Sequence, residues 1–154
     1  MPLIPKEIYA LVERKRRSRW VAEKRAMLQL QQAQAAAFKA SAPPMDKPAV
    51  KNGPGDRTGK AALAIVAAEE KLEQARAWET VWRKMDRWYP FDSSMEGRVA
   101  GYLYDNGMSV KDVGTACGCS RDVVNRARDK WVYLAALSAA GEGLITIREA
   151  ENNV

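Results

Sequence analysis

"VKDVGTACGCSRDVVNRARDKW", residues 110–131, decides the fold of this 154-residue chain. A helix, a sharp turn and a second helix crossing the first need a small residue where the helices touch. They also need a glycine able to reach positive φ in the turn, and a branched apolar residue locking the second helix. Gly114 is that small residue, Gly118 sits in the turn, and Val124 follows it on the second helix. "SVKD" (109–112) opens the first helix with a serine three residues ahead of an acid, and Ser120 caps the second, which runs through Trp131 to about Ala140. Val113, Cys117, Cys119, Val124 and Ala127 fall at inward-facing positions, so the two cysteines read as small buried hydrophobes and not as a metal or redox pair.

At about 100° per residue the second helix has two sides. Val123, Val124, Ala127, Trp131 and Leu134 gather on one, while Arg121, Asp122, Asn125, Arg126 and Asp129 occupy the other. Such an outward face suits a DNA major groove: arginine pairs with both acceptors of guanine, asparagine with adenine, and residues early in the second helix reach base edges. Ser120, Arg121, Asp122, Asn125 and Arg126 are the candidate base-reading positions, with Arg128 and Lys130 on the flanks, better placed for phosphates. Asp122 and Asp129 lower the positive potential of the face, although Asp122 also suits the positive end of the helix dipole.

Upstream, Ile65, Ala68, Leu72, Ala75, Trp78, Trp82, Met85 and Tyr89 recur at three- and four-residue intervals, which predicts a long amphipathic helix of about 30 residues ended by Pro90. Its tryptophans read as core. "SSME" (93–96) predicts a capping box with Ser93 as the cap, opening a helix through Val99, Leu103 and Tyr104 to Asn106-Gly107. No segment alternates with period two, so the expected fold class is all-α: the long helix packed on a C-terminal helix-turn-helix domain.

Residues 42–57, "APPMDKPAVKNGPGDR", read as a linker, with four of the seven prolines and no apolar stripe. The expected organisation is therefore a helical basic arm at 1–41, a linker at 42–57, a helical body at 58–145 with the helix-turn-helix at 109–131, and a tail at 146–154. The arm's apolar spacing breaks at Arg14–Arg19, which predicts weak packing. "KNGPGDRTGKAAL" (51–63) imitates a phosphate-binding loop, but Pro54 stands at the first glycine position and Ala61 where the Mg²⁺-ligating hydroxyl belongs. Proline has no N–H to give a phosphate and no hydrophobic strand precedes it, so the stretch reads as a joint, with Asp56 or Thr58 capping the long helix.

The net charge is +6, and residues 1–41 hold nine basic against three acidic side chains. Arg14, Lys15, Arg16, Arg17, Arg19, Lys24 and Arg25 form a cluster that fits a polyanion's phosphates as well as it fits a solvated helix face. There is no histidine, which removes Ser-His-Asp and Cys-His catalysis and the usual zinc sites. No acid/base pair, nucleophile constellation or metal set appears, so neither an enzyme nor a cofactor is expected. No apolar run reaches the roughly 18–20 residues of a membrane span, and the N-terminus lacks a signal peptide's pattern, so a cytoplasmic protein is expected.

"GDRTGKAAL", the long helix, "MEGRVAGYLYDNGMSVKDVGTACGCSRDVVNRARDKWVYLA" and the closing "GEGLI" (141–145) together resemble the phage transcriptional regulators of the RinA/ArpU type, over about residues 55–145. The C-terminal part of that family is similar to the DNA-binding region of sigma factors. The resemblance implies a phage-borne regulator that binds promoter DNA and works with host RNA polymerase on late genes, inside the bacterial host cell. By position it makes Ser120, Arg121, Asp122, Asn125 and Arg126 the DNA-reading residues; the basic arm lies outside it. Two other readings stand beside it. One is a small terminase or other phage packaging subunit using the same helix-turn-helix, its long helix joining copies into a homo-oligomer; the other is a helical module whose turn motif binds protein.

Overall fold

The computed structural model describes residues 4–41 and 54–146, whose regular structure is all helical, with no strand among them. Most of the expected linker and the tail from residue 147 lie outside the described residues. Six helices follow in order: α1 Lys6–Arg17, α2 Arg19–Ser41, α3 Pro54–Trp88, α4 Met95–Ala100, α5 Val110–Cys117 and α6 Arg121–Gly141. α4 continues into a π-helical turn, Gly101–Asp105. Packing divides the chain into two units: one of residues 1–20 with 77–154, the other of Val21–Arg76.

The first unit holds the helix pair α5 and α6. α6 is its axis, with α1, α4 and α5 all packed against it. Val124, Val132, Ala135, Ala136 and Ala139 of α6 are fully buried, along with Val81 and Met85 of α3, Val99 of α4 and Val113 of α5. Trp82 stacks on Trp78 at 5.3 Å and on Trp131 at 5.8 Å, and Tyr104 leans on Trp131 at 5.4 Å. Truncating such a buried indole costs about 3–5 kcal/mol, so this column is a main stabilising element. Trp88 departs from the expected core tryptophans, because it is more than half exposed at the end of α3.

In the second unit the predicted stripe of α3 is present, with Ala68 and Leu72 buried, and Ala26 is buried on α2. An Arg76–Glu23 ion pair at 3.2 Å joins the two helices. α3 starts earlier than its sequence suggests. Proline at a first helical position has the right φ and needs no hydrogen-bond partner for its missing N–H, so Pro54 opens the helix ahead of Asp56 and Thr58, neither of which is the cap.

A further expectation is corrected. The cap of α4 is Ser94, whose hydroxyl accepts from the Gly97 N–H at 3.0 Å, and not Ser93. The shift follows from packing: a Cβ on Gly97 would lie 2.1 Å from the Tyr89 carbonyl oxygen, so only glycine fits there and the helix starts in register with it. The basic segment is helical as expected, built of two helices parted at Ser18, whose hydroxyl donates to the Lys15 carbonyl.

Nor is α1 weakly packed. Its buried stripe runs on through arginines, because Val12 is followed inward by Arg16 and then Arg19 at the start of α2. Arg16, only 3% exposed, donates through Nη1 and Nη2 to both carboxylate oxygens of Asp105 at 2.6 and 2.9 Å. Its guanidinium lies 5.9 Å from the ring centres of both Trp82 and Trp131. A planar, weakly hydrated cation tolerates burial when one side meets a carboxylate and the other aromatic rings. Arg19 is held the same way by Glu79 at 3.0 Å and Asp86 at 2.9 Å. Burial alone would lower its pKa, yet the bonds to Glu79 and Asp86 outweigh it and hold the guanidinium raised.

Candidate nucleic-acid interface

The helix-turn-helix forms from local signals. Ser109 caps α5 by accepting from the Asp112 N–H, Gly118 ends it at φ 67°, and Ser120 caps α6 by accepting from the Val123 N–H. Gly114 lies at the crossing, where a Cβ would stand 2.8 Å from the Cys119 carbonyl oxygen and 3.8 Å from Val124 Cγ2. The three residues that define the motif therefore each have their structural reason. Cys117 and Cys119 are free and half-buried against the core, and burial followed by the neighbouring Cys119 pushes the Cys117 thiol up.

On the first turns of α6, Ser120, Arg121, Asp122, Asn125 and Arg126 are exposed. The side chains of Arg121, Asn125 and Arg126 make no hydrogen bond or ion pair to another described residue. The candidate base-reading group is thus brought together on one open surface at the start of a helix that is anchored along its opposite side.

The flanks differ from the expectation. Arg128 is turned onto α1, giving Nε and Nη2 to Glu13 Oε2 at 2.9 and 2.5 Å. Burial lowers its pKa, but the Glu13 bond together with the charges of Tyr104, Tyr9 and Glu13 outweighs it and holds the guanidinium raised. The Tyr104 hydroxyl donates to the same oxygen at 2.7 Å, and the Tyr9 hydroxyl donates to Asp129 at 2.7 Å. Lys130 pairs with Glu96 at 3.3 Å. Asp129 therefore does not belong to the open face, and of the two acids expected there only Asp122 remains, set against Arg121 and Arg126.

The π-helical turn makes this contact with α1. Its wide hydrogen bond runs from the Asn106 N–H to the Gly101 carbonyl, and Tyr104 and Asp105 within the turn both meet α1. The result is a rigid seat for the basic helix. Of the seven arm cations, Arg16 and Arg19 are buried in ion pairs and are not placed for phosphate, because their charge is already spent on Asp105, Glu79 and Asp86. Arg14, Arg17, Lys24 and Arg25 are exposed and Lys15 is half-buried.

Sequence reasoning placed Val123 on the inner side, yet it is 39% exposed while Val124 is fully buried. Its position at the edge of the apolar arc, one residue before Val124, was the available signal. It also missed Glu13, whose partners lie 91 and 115 residues away and leave no local pattern. Among the described residues no helix is long and apolar enough to cross a membrane. No protein-family model matches the chain, and neither a curated protein nor a solved structure matches it significantly.

Proposed function

We propose that this protein is a sequence-specific reader of double-stranded DNA, with the first turns of α6 entering the major groove. The observation that carries the reading is the exposed set of Arg121, Asn125 and Arg126, unpartnered among the described residues, beyond a capped and glycine-turned helix pair. These are donor and acceptor groups of the kinds that pair with guanine and adenine edges, held on a helix whose other side is core. Exposed Arg14, Arg17, Lys24 and Arg25 supply positive charge suited to phosphates. The resemblance to RinA/ArpU-type regulators extends the proposal to a phage transcription regulator acting with host RNA polymerase on late genes. Selection of bound sequences from random duplex DNA by the full chain tests it: an enriched motif supports the reading, and a pool with no enriched sequence contradicts it.

A second reading, a small terminase or other phage packaging subunit, is favoured by the large exposed apolar side chains of the second unit, among them Leu28 and Leu63. Its long helix would then join copies of the chain. Mass measurement in solution separates the two, since a large closed oligomer points to packaging and a monomer or dimer to regulation.

A further inference from the structure

Resting on the DNA-binding reading, we propose that Val123 determines specificity by packing against the 5-methyl group of a thymine in the major groove. Val123 is the third helical residue of α6 and shares its exposed first turns with Ser120, Arg121, Asp122, Asn125 and Arg126. It is 39% exposed amid these polar side chains, and along α6 the other large exposed hydrophobic residue is Leu137, near the far end.

The capping bond at this position does not require an apolar side chain. The backbone N–H of Val123 gives the capping bond to Ser120 Oγ, which any residue but proline supplies. A β-branched side chain lowers helix propensity relative to alanine, leucine or lysine, and one left 39% exposed forgoes part of what full burial contributes. In a major groove the balance reverses. The thymine methyl is the apolar group displayed on base edges, and a stiff valine meets it with little loss of rotamer freedom. Arginine and asparagine read donors and acceptors; Val123 adds the one feature they do not recognise.

The test pairs a protein methyl with a DNA methyl. The duplex enriched by the wild-type chain from a random library is remade with each thymine in turn replaced by uracil, which deletes only the 5-methyl group. Wild-type protein is expected to lose about three- to fivefold in affinity at one thymine of the site, the effect of about one buried methyl. Val123→Ala is expected to bind the uracil and thymine duplexes at that position equally well, with helicity by circular dichroism unchanged; Val123→Thr, which keeps one methyl, serves if the alanine variant does not fold, and is expected to lose about half of the discrimination. No uracil-sensitive position, or sensitivity that survives in Val123→Ala, overturns the proposal while leaving the DNA-binding reading intact. A library that yields no enriched duplex overturns both.

Discussion

Glu13 of α1 accepts both Nε and Nη2 of Arg128 of α6 on a single carboxylate oxygen, at 2.9 and 2.5 Å. With the Tyr104 hydroxyl on the same oxygen, three hydrogen bonds, and not apolar area alone, hold α1 against α6 and the π-helical turn. Removing the acid leaves a largely buried cation unpaired. Glu13→Ala is therefore expected to destabilise the chain by about 3 kcal/mol in urea denaturation. Glu13→Ala combined with Arg128→Met should cost less than the sum of the single variants by about 1 kcal/mol or more; strict additivity contradicts the coupling.

The turn of the helix-turn-helix makes a second prediction, an order of two glycine substitutions. Gly114→Ala forces a Cβ to 2.8 Å from backbone oxygen and is expected to cost about 2 kcal/mol. Gly118 faces open space and pays only for its φ of 67°, so Gly118→Ala is expected to cost roughly 1 kcal/mol. Thermal melts rank the two, and the reverse order contradicts the crossing geometry.

Stability should fall at both ends of the pH range. Burial, then the charge and hydrogen bond of Glu13, push the Tyr104 hydroxyl up, and burial followed by the bond to Asp129 does the same for Tyr9. Unfolded tyrosine ionises near pH 10, so the contribution of both is complete below that value and is lost as pH rises toward their folded values. Glu96 runs the other way. Burial alone would raise its pKa, but its own backbone N–H, Lys130 and Ser94 hold it lowered. Its contribution is present above the usual glutamate range and is lost as pH falls through the lowered folded value. Urea midpoints across pH should show a shallower alkaline limb in Tyr104→Phe and a shallower acid limb in Glu96→Gln; limbs that match wild type count against these assignments.

The basic segment predicts a division of labour. Arg14→Gln, Arg17→Gln, Lys24→Gln and Arg25→Gln remove exposed cations and should each reduce the salt slope of DNA binding by up to about 0.9, with little effect on stability. Arg16→Gln should instead destabilise the fold, because it breaks the Asp105 pair beneath the tryptophan column. A salt slope that stays unchanged in the four exposed variants shows that this segment does not touch DNA.

How much of this the sequence carries depends on the range of each interaction. Gly114, Gly118 and Ser120 act on neighbours within ten residues, so the helix-turn-helix and its open face are legible from spacing. The stripe from Ile65 to Met85 is legible because helical period is a local property. Arg16 is not, since a run of arginines looks like a solvated face until Trp82, Asp105 and Trp131 are brought around it by the fold. The displaced cap at Ser94 and the π-helical turn escape for a related reason: each is set by a contact, Gly97 on the Tyr89 carbonyl and Tyr104 on Glu13, that no periodicity records.

The most direct measurement of the central claim is the affinity of Asn125→Ala and Arg126→Ala for the duplex enriched by the wild-type chain, compared with a scrambled duplex at the same salt. Each variant is expected to lose about 1–3 kcal/mol on the enriched duplex, keep its weaker affinity for the scrambled one, and melt as wild type does. Undiminished binding of the enriched duplex by both variants would contradict the claim that the open face of α6 reads DNA.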